Sequence, residues 1–235
     1  MAIKAIFFDL DGTLLPMDQE RFVAAYLQGL ADKMEPLGYD PKVLKQAVWA
    51  GTVAMVKNNG KQINEAVFWD TFCNAVGRNA REDVSVIEDF YRNEFQNVRH
   101  ICGFAPEAAR VIRLVKEKGF LPVLATNPLF PSLATESRIR WAGLEPADFV
   151  YYTTYENSSF CKPNPDYYRQ ILDRLGLEPG ECIMVGNDAA EDGAAEKLGM
   201  QVFYLTPCLI NRQGRDLSNV PKGGFEELIG FIRSL

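Results

Sequence analysis

Two aspartates one residue apart close an apolar run in Phe7-Phe8-Asp9-Leu10-Asp11-Gly12-Thr13-Leu14. Carboxylates that close repel each other unless a cation lies between them or one is protonated. Asp-Gly also favours a turn, but a turn alone does not require two acids where a buried strand ends. A second apolar run stops at a hydroxyl in Leu124-Ala125-Thr126-Asn127-Pro128. Loop amides and helix N-termini there suit a phosphate, and a plain Thr/Asn cap followed by prolines accounts for the stretch equally well. In Cys161-Lys162-Pro163-Asn164-Pro165 a lysine sits in a stiff turn before a helix. Alone it fits a solvated surface charge; with prolines on the turn it also fits a fixed cation. The fourth stretch, Gly186-Asn187-Asp188-Ala189-Ala190-Glu191-Asp192, ends another apolar run in acids. A helix starting near Asp188 would put Asp188 and Asp192 on one face, and acids there also suit the helix dipole.

Each of these stretches follows a short apolar run bounded by polar, Gly or Pro residues. Residues 3–9, 121–126, 149–154, 182–186 and 202–206 read as strands covered on both faces. Helical patterns lie between them: 106–118, 165–175, 189–198 and 225–235, with Gly119, Gly176 and Gly199 ending the first three. Alternating strand and helix predicts an α/β fold, a doubly wound parallel sheet with a Rossmann-like core. Ligands of such sheets bind beyond the carboxyl ends of the strands. All four stretches therefore meet at one edge, where carboxylates, a hydroxyl and a cation describe a site for a phosphoryl group and Mg²⁺, with a carboxylate as nucleophile.

Residues 16–100 break the rhythm. They show no strand-like run, only helical patterns over 21–34, 41–57, 64–76 and 84–96, with turns at Gly38, Asn58-Asn59-Gly60 and Gly77. The expected organisation is a core formed by residues 1–15 and 101–235, and a smaller all-helical domain over 16–100. A single extended α/β domain is the alternative. Trp49, Phe68, Trp69 and Phe72 fall at helical spacing, which by default means the core of that helical block.

The order Asp9-Leu10-Asp11-Gly12-Thr13, then Thr126, then Lys162-Pro163, then Gly186-Asn187-Asp188 with Asp192, resembles the haloacid dehalogenase-like hydrolase superfamily over nearly the whole chain. The helical insertion between Asp11 and Thr126 resembles that family's helical cap, and the short stretch from Thr126 to Lys162 leaves the other common cap position essentially empty. The resemblance implies that Asp9 attacks phosphorus to form an aspartyl phosphate. It implies that Asp11 protonates the leaving oxygen and then activates water, and that Thr126, Asn127 and Lys162 bind phosphoryl oxygens. It implies Mg²⁺ held by Asp9, the main-chain carbonyl of Asp11, and Asp188, with Asn187 and Asp192 as ligands or support. The family's last motif usually has Asp directly after Gly, whereas Asn187 intervenes here.

Within that family the expected activity is hydrolysis of a small-molecule phosphate ester. Asp11 argues against dehalogenation, which needs no leaving-group acid. No lysine follows the first motif before Lys33, against a phosphonatase that forms a Schiff base. A mutase passing phosphate to a second hydroxyl stays open, with Thr13 leaning to hydrolysis. A non-catalytic phosphate-binding protein should show erosion at Asp9, Asp11 or Lys162, and none is seen. Met17 and Gln19 are placed to face the leaving group.

Composition narrows the field further. With 47% hydrophobic and 24% charged residues in 235, the chain is globular. A net charge of −6 argues against nucleic acid or an anionic membrane as partner. No apolar run approaches a membrane span, and Asp9 and Asp11 interrupt the N-terminal apolar stretch, so no secretory leader is expected. Five scattered cysteines without a CxxC pair favour reduced thiols in a cytoplasmic protein. The single histidine, His100, makes structural zinc or a catalytic triad unpromising.

Overall fold

A computed structural model describes residues 2–235. Its centre is a parallel six-stranded sheet in the order β3-β2-β1-β4-β5-β6. The strands are β1 Ala5–Phe8, β2 Leu121–Leu124, β3 Tyr151–Tyr152, β4 Cys182–Gly186, β5 Gln201–Leu205 and β6 Lys222–Gly223. From β1 the chain builds outward through β2 to β3, then returns to the other side of β1 for β4 and builds outward again. The direction reverses between β1 and β4, which opens a crevice above those two strands.

Strand β1 is central because it is apolar on both faces. Ile6 and Phe8 join one hydrophobic cluster, and Ala5 and Phe7 join the other, as the two-residue period of a strand requires. Each buried Phe contributes roughly 1.5–3 kcal/mol relative to exposure. On the first face lie α5 Glu107–Glu117, α6 Ser132–Trp141 and α8 Phe225–Ser234. On the second face lie α7 Pro165–Leu175 and the 3-10 turns Asp192–Leu198. Helix α7 begins as its sequence dictates: Asn164 accepts a hydrogen bond from the Asp166 amide (3.0 Å), Pro165 occupies the first turn, and Gly176 ends the helix at φ 64°.

Between β1 and α5 the chain is helical: α1 Gln19–Met34, α2 Pro41–Val56, α3 Asn64–Val76 and α4 Val84–Arg92, followed by 3-10 turns over Glu94–Ile101. Among the described residues, none of this segment joins the six-stranded sheet. Its two ends run side by side. Met17 pairs with Cys102 in an antiparallel bridge, and the Gly103 amide donates to the Pro16 carbonyl (2.7 Å).

Beyond shifts of one or two residues at element ends, the elements differ from the sequence reading in four places. The helix expected over 84–96 breaks after Arg92, where Asn93 leaves helical geometry (ψ −80°) and its side chain bonds back to Asp89. The helix expected over 189–198 is a turn followed by 3-10 geometry. Strand β6 lies outside the predicted set. Strand β3 shrinks to two residues, Tyr151 and Tyr152, which pair with Val123 and Leu124 of β2.

Candidate active site

The first motif is held by its backbone. The Asp9 amide donates to the Val185 carbonyl (2.9 Å), which extends the β1–β4 ladder by one rung and fixes the Asp9 side chain at the mouth of the crevice. The chain then turns sharply: the Leu15 amide returns to the Leu10 carbonyl (2.9 Å), and Gly12 adopts φ 88°, the left-handed region where a side chain is strained. A Cβ at Gly12 would also collide with the amide of Asn187. Gly186 meets a similar constraint, since a Cβ there would strike the Asp192 carboxylate. Gly12 lets the β1 loop close on the β4 loop, and Gly186 lets the β4 loop fold back on its own strand end.

Within that closure Lys162 is almost completely buried. Its ammonium donates to Asp9 Oδ1 (2.8 Å) and Asp192 Oδ1 (2.7 Å). Burial would pull this ammonium down, but Asp192 and then Asp9 overcome it and hold Lys162 well above the usual lysine range. The alternative of a solvated surface lysine is thereby removed. Asp192 is committed on its other side as well, since its Oδ2 accepts from the amides of Asn187 and Asp188, both at 2.9 Å. Asp188 instead folds over the turn, its Oδ1 accepting from the Ala190 (2.8 Å) and Glu191 (2.9 Å) amides. Asp188 and Asp192 therefore do not share a helix face; they brace one turn from opposite sides.

The Thr13 hydroxyl lies between Asp9 Oδ2 (3.2 Å) and Asn187 Oδ1 (3.0 Å) and can donate to one at a time. Asn187 is fixed by its own amide, which donates to the Cys208 carbonyl (2.8 Å). Thr126 is buried beside the site, its carbonyl accepting from Thr153 and Tyr167. Asn127 accepts from the Lys162 amide (3.2 Å) and donates to Glu191 (3.1 Å). Asp9, Asp11, Thr126, Asn127, Asp188 and Asp192 line one cavity of about 140 Å³, with Met17 and Gln19 on its wall. Lys162 and Asn187 support it: Asn187 forms part of the lining, and Lys162 sits behind Asp9.

Two participants escaped the sequence reading. Arg138, on α6, has no exposed surface. Its guanidinium forms an ion pair with Asp11 Oδ2 and lies 4.4 Å from the centre of the Phe130 ring. The other Asp11 oxygen is buried without a partner. Ala134, Arg138, Ile139 and Trp141 are all buried on α6, so the signal was a charge at the i+4 position of an otherwise inward-facing row. Glu191 is the second. Burial pushes its carboxyl up to about 8, with Lys162 opposing and Asp192, Asp188 and Asp9 adding to the rise.

Negative charge dominates the cavity. Burial pushes the Asp9 carboxyl up to about 7; Lys162 pulls the other way, while Asp192 and Asp11 push further. Among the described residues no three His, Cys, Asp or Glu side chains form a ready metal cluster. Mg²⁺ needs less than that, because it keeps several waters and takes one or two carboxylates. Asp9, Asp188 and the Asp11 carbonyl supply hard oxygens, and the surplus of carboxylates over Lys162 and Arg138 leaves charge for a cation to neutralise. The donor set fits.

A sequence model described as haloacid dehalogenase-like hydrolase matches residues 3–199. A protein named phosphoglycolate phosphatase from Aliivibrio fischeri is 25% identical over 210 residues, covering 87% of this chain and 84% of that protein. Among solved structures, a phosphatase of the same family from Thermococcus onnurineus superposes with TM-score 0.59 at 21% identity, covering 98% of each chain. A 2-haloacid dehalogenase from Pseudomonas syringae gives 0.63 at 20% identity, over 99% of this chain and 98% of that one. At those identities the structural likeness speaks for the fold.

Proposed function

This chain belongs to the haloacid dehalogenase-like hydrolases, and on that premise we propose that it is a phosphatase cleaving a small-molecule phosphate monoester through an aspartyl phosphate on Asp9. The observation that carries the reading is the pairing of Asp9 with Asp11 at the strand-order reversal. Asp9 is backed by Lys162, and Asp11 carries one buried oxygen with no partner. Relatives named phosphoglycolate phosphatase support the phosphate ester as substrate class.

Asp9 presents its carboxylate to phosphorus in line with the leaving oxygen. Lys162 and Thr13, each within hydrogen-bonding range of one Asp9 oxygen, fix the direction of attack. In this reading the backbone amides of Thr126 and Asn127, and the Asn127 Nδ2 hydrogen left over from its bond to Glu191, receive phosphoryl oxygens. Asp11, oriented by Arg138 on Oδ2, takes up a proton on its unpartnered Oδ1 when substrate binds and hands it to the departing alcohol oxygen. It then takes one from the water that attacks the phosphorylated Asp9, releasing phosphate. Mg²⁺, held by Asp9, Asp188 and the Asp11 carbonyl, would supply charge neutralisation between the nucleophile and the phosphate. Asp192 and Asn187 support this set: Asp192 holds Lys162 with Oδ1 and the Asn187 and Asp188 amides with Oδ2, and Asn187 accepts from Thr13 and donates to the Cys208 carbonyl.

In this reading residues 1–15 and 101–235 form the catalytic core, and residues 16–100 a helical cap that swings on the two connecting segments bridged at Met17 and Cys102 and keeps water from the cavity. A cytoplasmic location accompanies it: the five cysteines are unpaired, and no helix among the described residues is long and apolar enough to cross a membrane. The decisive test is a Mg²⁺-dependent screen over phosphate monoesters with inorganic phosphate as readout. Release of phosphate that stops with a chelator and returns with Mg²⁺ is expected, and full activity after exhaustive chelation would remove the mechanism.

A further inference from the structure

A second cavity lies between the helical segment and the core. Its volume is about 160 Å³, and its wall includes Leu30, Val48, Phe68, Trp69 and Phe72. As expected, Trp69 and Phe72 belong to the buried core and Phe68 packs against it, whereas Trp49 is half exposed; all four also line this space. Val23, Leu129 and Phe130 line both this cavity and the one that holds Asp9 and Asp11. The two compartments therefore adjoin across these three residues, and Arg138 lies over the Phe130 ring.

The chemistry of the two compartments differs sharply. No charged side chain lines the second one. The hydroxyls of Tyr26 and Tyr91 bond to each other (2.9 Å), and the Thr52 hydroxyl donates to the Val48 carbonyl (2.9 Å), so these polar groups have partners without a ligand. In the first compartment the charged residues are all acids: Asp9, Asp11, Asp188, Glu191 and Asp192. Among the described residues no Lys, Arg or His side chain lines either compartment. A substrate carrying a carboxylate on its alcohol portion would find no cation for it. It would meet either more carboxylates or an apolar wall, and both are costly for an unpaired charge.

Resting on the phosphatase reading above, we propose that the apolar compartment is the leaving-group site, and that the substrate is a phosphate monoester of an uncharged, aromatic or branched apolar alcohol. An apolar cavity of about 150 Å³ accommodates a molecule the size of benzene, so one ring or an equivalent branched chain fills the space. The phosphoryl group sits over Asp9, the ester oxygen faces Asp11, and the apolar group passes Phe130 into the compartment. Glycolate-like alcohols are poor substrates by the same argument.

The test compares kcat/KM of the full-length, Mg²⁺-loaded protein on benzyl phosphate, ethyl phosphate and 2-phosphoglycolate, with acetyl phosphate as a fourth substrate. Benzyl and ethyl alcohol are leaving groups of similar acidity, so their ratio reports on binding. Benzyl phosphate is expected to exceed ethyl phosphate by roughly 100-fold, a fraction of what burying the extra carbons could supply, and phosphoglycolate to fall below ethyl phosphate. Thr52→Phe, which fills the compartment from α2, should lower the benzyl-to-ethyl ratio about tenfold or more. If circular dichroism shows that variant unfolded, inhibition of the unaltered protein by benzylphosphonate against ethylphosphonate gives the same ratio without turnover. Hydrolysis of acetyl phosphate together with a benzyl-to-ethyl ratio near one, or with phosphoglycolate as the best ester, would overturn the leaving-group site and leave the phosphatase reading standing. Failure to hydrolyse even acetyl phosphate, which needs neither the compartment nor an acid, would overturn both.

Discussion

At the scale of single residues the two aspartates of the first motif have unlike surroundings, and unlike roles follow. Asp9 is nearly buried, with one oxygen on Lys162 and the other facing Thr13. Asp11 has one oxygen on Arg138 and one without a partner. Asp9→Asn keeps the shape and removes the nucleophile, so turnover should fall by several orders of magnitude, roughly the scale of losing a covalent catalyst. Asp11→Asn should still be phosphorylated by substrates with good leaving groups but lack a base for the second step. Rapid mixing should then show a burst of leaving group and label retained on Asp9 for Asp11→Asn alone; label retained on Asp9→Asn would mean the nucleophile is misassigned. Arg138 acts through Asp11. Arg138→Met should destabilise the protein by about 1.5–3 kcal/mol, the worth of hydrogen bonds to a charged group, and should slow esters of poor leaving groups far more than activated ones. Arg138→Lys should recover part of the stability without the forked geometry. Equal loss on both kinds of ester would make Arg138 purely structural.

The elements explain why so much of this arrangement was legible and why some was not. Strands β1 and β4 are unbroken apolar runs that lie buried between two helix layers, and the expected span of β4 matches the structure at both ends. Helices α3 and α7 likewise begin and end where expected, the second because Asn164, Pro165 and Gly176 encode its ends locally. Strand β3 was legible as the apolar run 149–154 but pairs over two residues only, whereas β6, also two residues, carries no apolar pattern and draws its geometry from β5. Arg138 was illegible for a related reason: its partner Asp11 is distant in sequence, and only tertiary packing brings them together. Asn64 is similar. As the first residue of α3 it is wholly buried, and its amide reaches the carbonyls of Pro128 (3.4 Å) and Phe160 (3.3 Å), while Asn58 donates to its oxygen (2.9 Å). It ties the helical segment to the loop that presents Lys162. Asn64→Ala should cost about 1–3 kcal/mol, because it strands buried acceptors, and should speed hydrogen exchange in the loop before Lys162. Unchanged exchange there would show that the segment is held elsewhere.

For the whole molecule the excess of acids around one buried lysine sets a direction for stability against pH. In the fold burial, the first cause in both, pushes the Asp9 carboxyl up to about 7 and the Glu191 carboxyl up to about 8, against ordinary values of 3.8 and 4.5. The folded protein therefore binds these protons more tightly than the unfolded chain does. Their stabilising contribution is complete below about pH 4 and is lost as pH rises through 7 to 8. The carboxyls shifted the other way, Asp89, Asp148, Glu181 and Asp216, are held low by lysines or by backbone and side-chain hydrogen bonds. Their contributions fade only in acid, below this window. Metal-free protein should accordingly have a higher Tm at pH 5 than at pH 8. Mg²⁺ binds the ionised ligands and not the protonated ones, so adding it should raise Tm more at pH 8 than at pH 5. Asp9→Asn removes one of the two titrations and one metal ligand, so it should flatten the metal-free profile and weaken the response to Mg²⁺. Calorimetric scans of both proteins in chelator and in Mg²⁺ at the two pH values check every part of this. A metal-free Tm that rises from pH 5 to pH 8, or a Mg²⁺ response as large in Asp9→Asn as in the unaltered protein, would mean that the cavity's carboxylates neither strain the fold nor hold the cation.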